Sequence, residues 1–201
     1  MYIFSHTKVP KRGFTLVETL VAVTILMMVI IGPMTIASRG IQGSYFANEQ
    51  VTAVFLAQEA MESIQQLRDD NALEVFNLNS NESWDWYADS TLNACKNGNG
   101  CDFDSLATQA SERYRSCATI SNCRLHTYTG SSPSVTYGYG NTSDWSTESP
   151  YTRRIDIDNA LTNGGILVTV TVSWDSHLFS STAREVKLQT WIYDQYSRFE
   201  I

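Results

Sequence analysis

The sequence contains few of the residues on which catalytic sites depend. It has three histidines, of which only His126 and His177 lie beyond the first 12 positions. The motifs G-x-S-x-G, H-E-x-x-H and G-x-x-x-x-G-K do not occur, so common hydrolase, metalloprotease and phosphate-loop signatures are missing. A single histidine in a predicted loop is most often solvated. We therefore expect no enzymatic activity and no cofactor.

Positive charge is scarce as well. Lysine and arginine together number 14 against 21 aspartates and glutamates, which gives a formal net charge of −7. After residue 12 the only adjacent basic pair is Arg153-Arg154, and charged positions on a strand face explain it. Because phosphate recognition requires clustered lysine and arginine, we do not expect nucleic acid as the main partner.

Charge is almost absent from a long apolar run near the start of the chain. The run from Phe14 to Ile36 has 23 residues, and Glu18 is the only charged residue between positions 12 and 39. A helix needs roughly 20 residues to cross ~30 Å of hydrocarbon. A carboxylate at the bilayer centre costs ~2.5–3.5 kcal/mol, so such a residue is usually retained for a partner. The run predicts a transmembrane helix over 14–36 that associates with another chain.

Basic residues before the run set the predicted orientation. Lys8, Lys11 and Arg12 precede it, and an excess of lysine and arginine marks the cytoplasmic side. We expect a single-pass protein of the cytoplasmic membrane with an extracytoplasmic carboxyl-terminal domain. A cleaved secretory signal peptide is one alternative, although the run is long, contains an acid and lacks a following A-x-A-like site. A plain uncleaved anchor is another alternative.

The residues at the start of the run, Gly13-Phe14-Thr15-Leu16-Val17-Glu18, resemble the class III signal of type IV pilins and pseudopilins. In that family a prepilin peptidase cleaves after the glycine, and the new terminal residue is N-methylated. The resemblance implies a cleaved leader at 1–13, with orienting charges at Lys11 and Arg12, and a methylated Phe14.

The resemblance also implies a role for Glu18. In pilins the corresponding carboxylate meets the terminal amine of a neighbouring subunit, which builds a head-to-tail, open helical array. Neither charge is stable in lipid unless it is paired. The simpler alternative is that Glu18 reaches toward the lipid headgroups, because it lies near the helix start.

A second helix-like pattern follows the apolar run. Residues 44–68 lack glycine and proline, and apolar residues recur at the three- and four-residue spacing of a helix. These residues are Ala53, Leu56, Ala57, Ala60, Ile64 and Leu67. We predict an amphipathic helix over 37–70 that covers a sheet. Gly32-Pro33 is predicted to kink or locally melt the helix before it.

The rest of the chain predicts an irregular lobe at 71–150 and an antiparallel sheet at 151–201. Apolar residues alternate at 151–158, 166–174 and 185–194, which is typical of three strands in a meander. One face of such a sheet is left for the helix to cover. The predicted fold class is α+β, with a long amino-terminal helix packed on a carboxyl-terminal antiparallel sheet, as in the pilin family.

Four cysteines, Cys95, Cys101, Cys117 and Cys123, lie in the lobe. An oxidising extracytoplasmic location predicts two disulfides, with three possible connectivities. We favour Cys95–Cys101 with Cys117–Cys123 over the crossed pairings. Zinc is an alternative that the spacing does not support. Calcium at 97–104 is another, although the EF-hand spacing is absent there and turn chemistry explains the residues. We predict no metal site.

The function that the resemblance implies is that of a minor pilin or pseudopilin. The three late strands resemble minor components of the PilV modification-protein kind and their type II secretion counterparts. The implied partners are other pilin subunits, prepilin peptidase, an inner-membrane assembly platform and membrane lipid, and the implied destination is a pilus or a periplasmic filament. The alternative is a membrane-anchored module whose cysteine- and aromatic-rich lobe binds a ligand outside any filament.

Overall fold

The computed structural model describes residues 13–78, 87, 90–96, 98, 100–105, 107, 113–118, 123–128, 136–139, 145–158, 165–175 and 183–193. The chain divides into two compact units, Met1–Ala47 and Asn48–Ile201, and each is described by itself. One helix, α1 (Leu16–Leu78), contributes residues to both.

The amino-terminal unit is helical from Leu16 onward. Three threonine hydroxyls in this part of α1 donate hydrogen bonds to carbonyls three residues back, at 2.7–2.9 Å, so these polar groups are satisfied within the helix. The helix is unbroken at Gly32 and Pro33. Of the kink or local melting predicted there, the melting is not observed, because a proline removes only its own hydrogen-bond donor and the flanking turns remain helical. The kink stays a prediction.

The carboxyl-terminal unit is built on one antiparallel sheet. Within the described residues it has seven strands and one short 3₁₀ helix, Ser90–Cys95. The strands are β1 (Cys101–Phe103), β2 (Tyr114–Ser116), β3 (Arg124–Tyr128), β4 (Thr136–Gly138), β5 (Trp145–Asp158), β6 (Gly165–Asp175) and β7 (Ala183–Tyr193). The order along one path is β2-β1-β5-β3-β4. The long strand β5 also pairs with β6, and β6 pairs with β7.

The last three strands form the predicted meander. β5 pairs with β6, and β6 pairs with β7 along its whole length, both antiparallel. The period-two pattern places alternate residues on an inner face, where Ile155, Val170 and Val172 are fully buried. Burial of each such aliphatic side chain contributes about 1.5–3 kcal/mol.

The amphipathic part of α1 packs on this inner face. The apolar residues predicted from helical spacing are buried there, with Leu67 half-buried at the margin. The predicted α+β architecture, a long helix on a carboxyl-terminal antiparallel sheet, is thus confirmed. The helix continues to Leu78, beyond the predicted end at 70. Ala72, in this additional part of the helix, is also buried.

The lobe predicted as irregular contains sheet structure. β1, β2 and β4 have three residues each, and β3 has five, so each is too short for an alternating pattern to be recognised. β5 also begins at Trp145, earlier than predicted, and includes Pro150. Proline has no N–H for the ladder. The register of β3 against β5 shifts beside it, and Ser149 Oγ accepts a hydrogen bond from the Tyr151 N–H at 3.2 Å.

Two disulfides hold this region. They join Cys95 to Cys101 and Cys117 to Cys123, the connectivity that the sequence favoured among three. The first links the 3₁₀ helix to β1, and both of its cysteines are fully buried in the core. Each cross-link closes a short loop, with a sequence separation of 6, and restricts the conformations of the unfolded chain there.

Candidate functional site

The amino-terminal part of α1 is exposed along its whole length. Every residue from 13 to 41 is exposed, including 15 large apolar side chains between Phe14 and Ile36. Within the described residues, this is the one helix with a stretch long and apolar enough to cross a membrane, with a mean hydropathy of 2.5. So much exposed apolar surface is stable only against lipid or other apolar chains.

The acid in this segment occupies a defined position in the helix. Thr15 precedes the first helical residue, and its Oγ1 accepts a hydrogen bond from the Glu18 N–H at 3.2 Å. A threonine followed three residues later by a glutamate is the pattern of a capping box. The carboxylate of Glu18 also lies at the positive end of the helix dipole, where it is favoured. The Thr15 hydrogen bond and the helix dipole therefore both favour this start of α1.

The other residues predicted at the amino terminus are placed as follows. Gly13 and Phe14 are described, lie just before α1 and are exposed. A Cβ added to Gly13 would meet no atom of the described residues within 4 Å. Lys11 and Arg12 lie outside the described residues.

A second cluster, which the sequence did not predict, lies inside the carboxyl-terminal unit, Asn48–Ile201. We call this unit the sheet domain. We call the group of Arg153, Asp102, Glu59 and Tyr139 the Arg153 cluster. The Arg153 guanidinium donates through Nε to Asp102 at 2.7 Å, through Nη1 to Glu59 at 2.8 Å and through Nη2 to the Phe103 carbonyl at 3.1 Å. It also stacks 4.2 Å from the centre of the Phe103 ring. One side chain thus joins α1, β1 and β5.

The charges of the cluster compensate one another away from water. Asp102 additionally accepts hydrogen bonds from the Tyr139 hydroxyl and the Phe103 N–H. Burial raises the pKa of Asp102, while the charge of Arg153 and these hydrogen bonds oppose the rise. Burial alone would lower the pKa of Arg153, but the charges of Asp102 and Glu59 raise it above its ordinary value. Burial and the Asp102 charge also raise the pKa of Tyr139.

The alternation of inward and outward residues along a strand contained a signal for this cluster. Arg153 has the same parity as Ile155 and Ile157, which face inward, so a regular strand had to bury it. The interpretation of Arg153-Arg154 as charged positions on a strand face fits Arg154, whose side chain is 41% exposed. Arg153 lies on the inner face and is 1% exposed. No pattern in the sequence identified Asp102, in a three-residue strand, as its partner.

The alternative metal sites do not fit the described residues. All four cysteines are in disulfides, so none is a thiolate ligand for zinc. Asp102 of the suggested calcium segment is bound to Arg153, and Asn97 and Asn99 lie outside the described residues. No group of three or more histidine, cysteine, aspartate or glutamate side chains suited to a metal occurs in the described part of the chain. His126 lies in β3, and His177 is not among the described residues.

Comparison with known proteins bears on the amino-terminal segment alone. A family model described as the prokaryotic N-terminal methylation motif matches residues 9–32. No curated protein and no solved structure matches the chain. The matched residues include the Gly13-Phe14 junction, Glu18 and most of the exposed apolar run. Proteins with this motif are generally structural rather than catalytic. The motif indicates a type IV pilin-like protein, and with the apolar helix it fits a membrane-anchored protein that has an extracytoplasmic domain.

Proposed function

We propose that the chain is a minor pilin or pseudopilin, a structural subunit that is incorporated into, or primes, a type IV pilus-like filament. One observation carries the proposal. The matched motif opens an exposed apolar helix in which Glu18 is the only acid before Glu49. Such a helix suits both storage in a membrane and association with helices of the same kind.

Processing would complete the assembly site. Cleavage between Gly13 and Phe14 would leave a cationic amine four residues before Glu18. The amine and the carboxylate are each unfavourable in hydrocarbon, and pairing between subunits would relieve both. The hydrogen bond at the helix start does not neutralise the carboxylate, because it joins Thr15 Oγ1 to the backbone N–H of Glu18.

The remaining segments take roles that follow from this proposal. Residues 1–13 are the leader, 14–36 cross the membrane, and the sheet domain is exposed outside the cytoplasm. A minor role is supported by the size of the lobe between α1 and β5, which is harder to repeat along a tightly packed filament than a short loop. The disulfides of this lobe suit an oxidising compartment. Prepilin peptidase, other pilin subunits and an inner-membrane assembly platform are the partners.

Mass spectrometry of the mature amino terminus tests the proposal. Chain purified from membranes of cells that have a prepilin peptidase should begin with methylated Phe14. The same preparation from cells without the peptidase is the control and should retain Met1. Retention of Met1 in both would favour the uncleaved, membrane-anchored binding module instead.

A further inference from the structure

The outer face of β5, β6 and β7, which points away from α1, carries a shallow trough of about 470 Å³. Its side chains stand in rows across the three strands. One row is Arg154, Thr171 and Lys187, and the next is Asp156, Thr169 and Gln189. We call this surface the outer-face trough.

The charges of the trough are largely paired within it. Arg154 binds Asp156 at 2.7 Å, and Lys187 lies 3.1 Å from Glu185. Gln189 Nε2 donates to Thr169 Oγ1 at 3.1 Å. The trough therefore presents carboxylate, amide and hydroxyl groups in fixed positions, with one more acid than base among its lining residues. Such a surface offers hydrogen-bond donors and acceptors, and each of its two cations lies beside a carboxylate.

An aromatic platform extends the trough at one end. Trp191 and Tyr193 follow Gln189 at alternate positions of β7, on the same face, and are 44% and 47% exposed. Leu167 lies opposite Trp191, and Gly165 lies opposite Tyr193. A Cβ added to Gly165 would stand 2.7 Å from the Tyr193 ring. The missing side chain therefore lets this ring lie close across the neighbouring strand.

We propose that the outer-face trough and the Trp191–Tyr193 platform together bind a neutral saccharide chain. Sugar rings have apolar C–H faces that stack on aromatic rings, and their hydroxyls exchange hydrogen bonds with carboxylates, amides and threonines. Acidic polysaccharides and nucleic acids fit poorly, because the trough has an excess of acid and the chain a net charge of −7. This site does not depend on whether the chain enters a filament.

Calorimetry on the full-length chain in lipid nanodiscs tests the site, since nanodiscs avoid detergents with sugar headgroups. The probes are maltohexaose, cellohexaose and chitohexaose, with alginate as the acidic comparison. We expect saturable binding of at least one neutral oligosaccharide, weakened about tenfold by Trp191→Ala. Trp191→Phe should retain most of the affinity. Phe55→Ala, at an exposed aromatic residue of α1 that is 65% exposed, is the matched control and should bind as the parent does.

Three results would overturn the proposal. They are the absence of saturable binding by all three neutral probes, equal binding by Trp191→Ala and the parent, and stronger binding of alginate than of any neutral probe. Self-association of the parent that is lost in Trp191→Ala, without sugar binding, would instead assign the surface to a protein contact. Thermal unfolding of each variant shows whether the sheet is intact. Because the amino terminus is not altered, failure here leaves the methylation result unaffected.

Discussion

Arg153 and Asp102 form an ion pair at 2.7 Å whose side chains are 2% and 0% exposed. Asp102 directly follows Cys101, and Arg153 lies 51 residues later on β5. The pair therefore ties the disulfide-bearing lobe to the middle of the sheet. Through Glu59 it also reaches α1, so three parts of the sheet domain meet at one guanidinium.

Replacement of Arg153 by alanine should destabilise the sheet domain strongly. The change leaves Asp102 buried without its counter-charge, and loss of one partner from a buried pair costs about 3–5 kcal/mol. The adjacent residue gives a matched control. The side chain of Arg154 is 41% exposed, and loss of an exposed ion pair costs about 0–1 kcal/mol. Urea unfolding of Arg153→Ala and Arg154→Ala measures both effects. Equal losses in the free energy of unfolding would show that the buried ion pair contributes no more than the exposed one.

Removal of the two disulfides should have unequal effects. Each closes a loop of similar length, with a sequence separation of 6, which in the loop-entropy model is worth about 2 kcal/mol. Cys95 and Cys101 are additionally part of the core cluster, whereas Cys117 and Cys123 are not. Replacement of Cys95 and Cys101 by alanine also loosens β1, which contains Asp102. We expect Cys95→Ala/Cys101→Ala to lower the free energy of unfolding more than Cys117→Ala/Cys123→Ala.

Proteolysis gives a second measure of the same bonds. Reductant should increase cleavage between Cys95 and Cys123, because both cross-links lie in that interval. The double-alanine variants should each be sensitive without reductant. Cleavage of the parent that is unchanged by reductant would mean that packing alone holds the lobe.

The sequence predicted the long periodic elements and missed the short ones. Eleven-residue strands such as β6 and β7 show several alternations. The apolar residues of the amphipathic helix repeat over about four turns, so both patterns are long enough to be recognised. The strands of the lobe have three to five residues, too few for a period. Their position depends on disulfides and on pairing with β5, which are contacts between distant residues.

The candidate sites divide in the same way. The amino-terminal motif is local, and six consecutive residues suggested it. The Arg153 cluster is non-local, because three of its members come from α1, β1 and β5 and the fourth, Tyr139, directly follows β4. Strand parity alone required Arg153 to face inward, but an inward arginine has no partner until the fold places Asp102 beside it. Buried charge can be inferred from the sequence here, whereas its compensation cannot.

Alkaline pH should weaken the sheet domain through Tyr151. Burial raises the pKa of this tyrosine from 10.0 to about 12, and its hydroxyl donates to the Glu49 carbonyl at 3.2 Å. Because the folded state holds the proton more tightly than the unfolded state, the contribution is complete below pH 10. It is lost as pH rises from 10 to 12. Urea unfolding across this range should show a steeper fall for the parent than for Tyr151→Phe.

The control for this titration is another tyrosine of the same sheet. Tyr193 is 47% exposed, so Tyr193→Phe removes a phenol that gains little from burial. A change in stability that Tyr151→Phe and Tyr193→Phe share is then due to loss of a hydroxyl and not to the surroundings of Tyr151. If Tyr151→Phe and the parent lose stability in parallel, the Tyr151 hydroxyl does not carry the alkaline dependence.

Glu18 should act in assembly through its charge rather than through its helix cap. The two roles are separable, because Thr15 supplies the side chain of the cap and Glu18 receives it through a backbone N–H. Thr15→Ala removes the cap, worth about 1 kcal/mol, and keeps the carboxylate. Glu18→Ala removes the carboxylate and keeps that hydrogen bond. We expect Glu18→Ala to lower incorporation into sheared filaments severely, and Thr15→Ala to lower it little.

Both variants must reach the membrane and be processed for this comparison to count, so membrane abundance and the mature amino terminus are measured beside the filament fraction. Glu18→Gln sharpens the result, because it keeps the size of the side chain and loses only the charge. If pairing with the amine of Phe14 drives association, Glu18→Gln should resemble Glu18→Ala. In hydrocarbon a neutral amide stabilises a neighbouring cation far less than a charged carboxylate does. Filament incorporation of Glu18→Gln at the parental level would remove the charge from the assembly mechanism, and a loss in Thr15→Ala equal to that in Glu18→Ala would transfer the effect to the helix start.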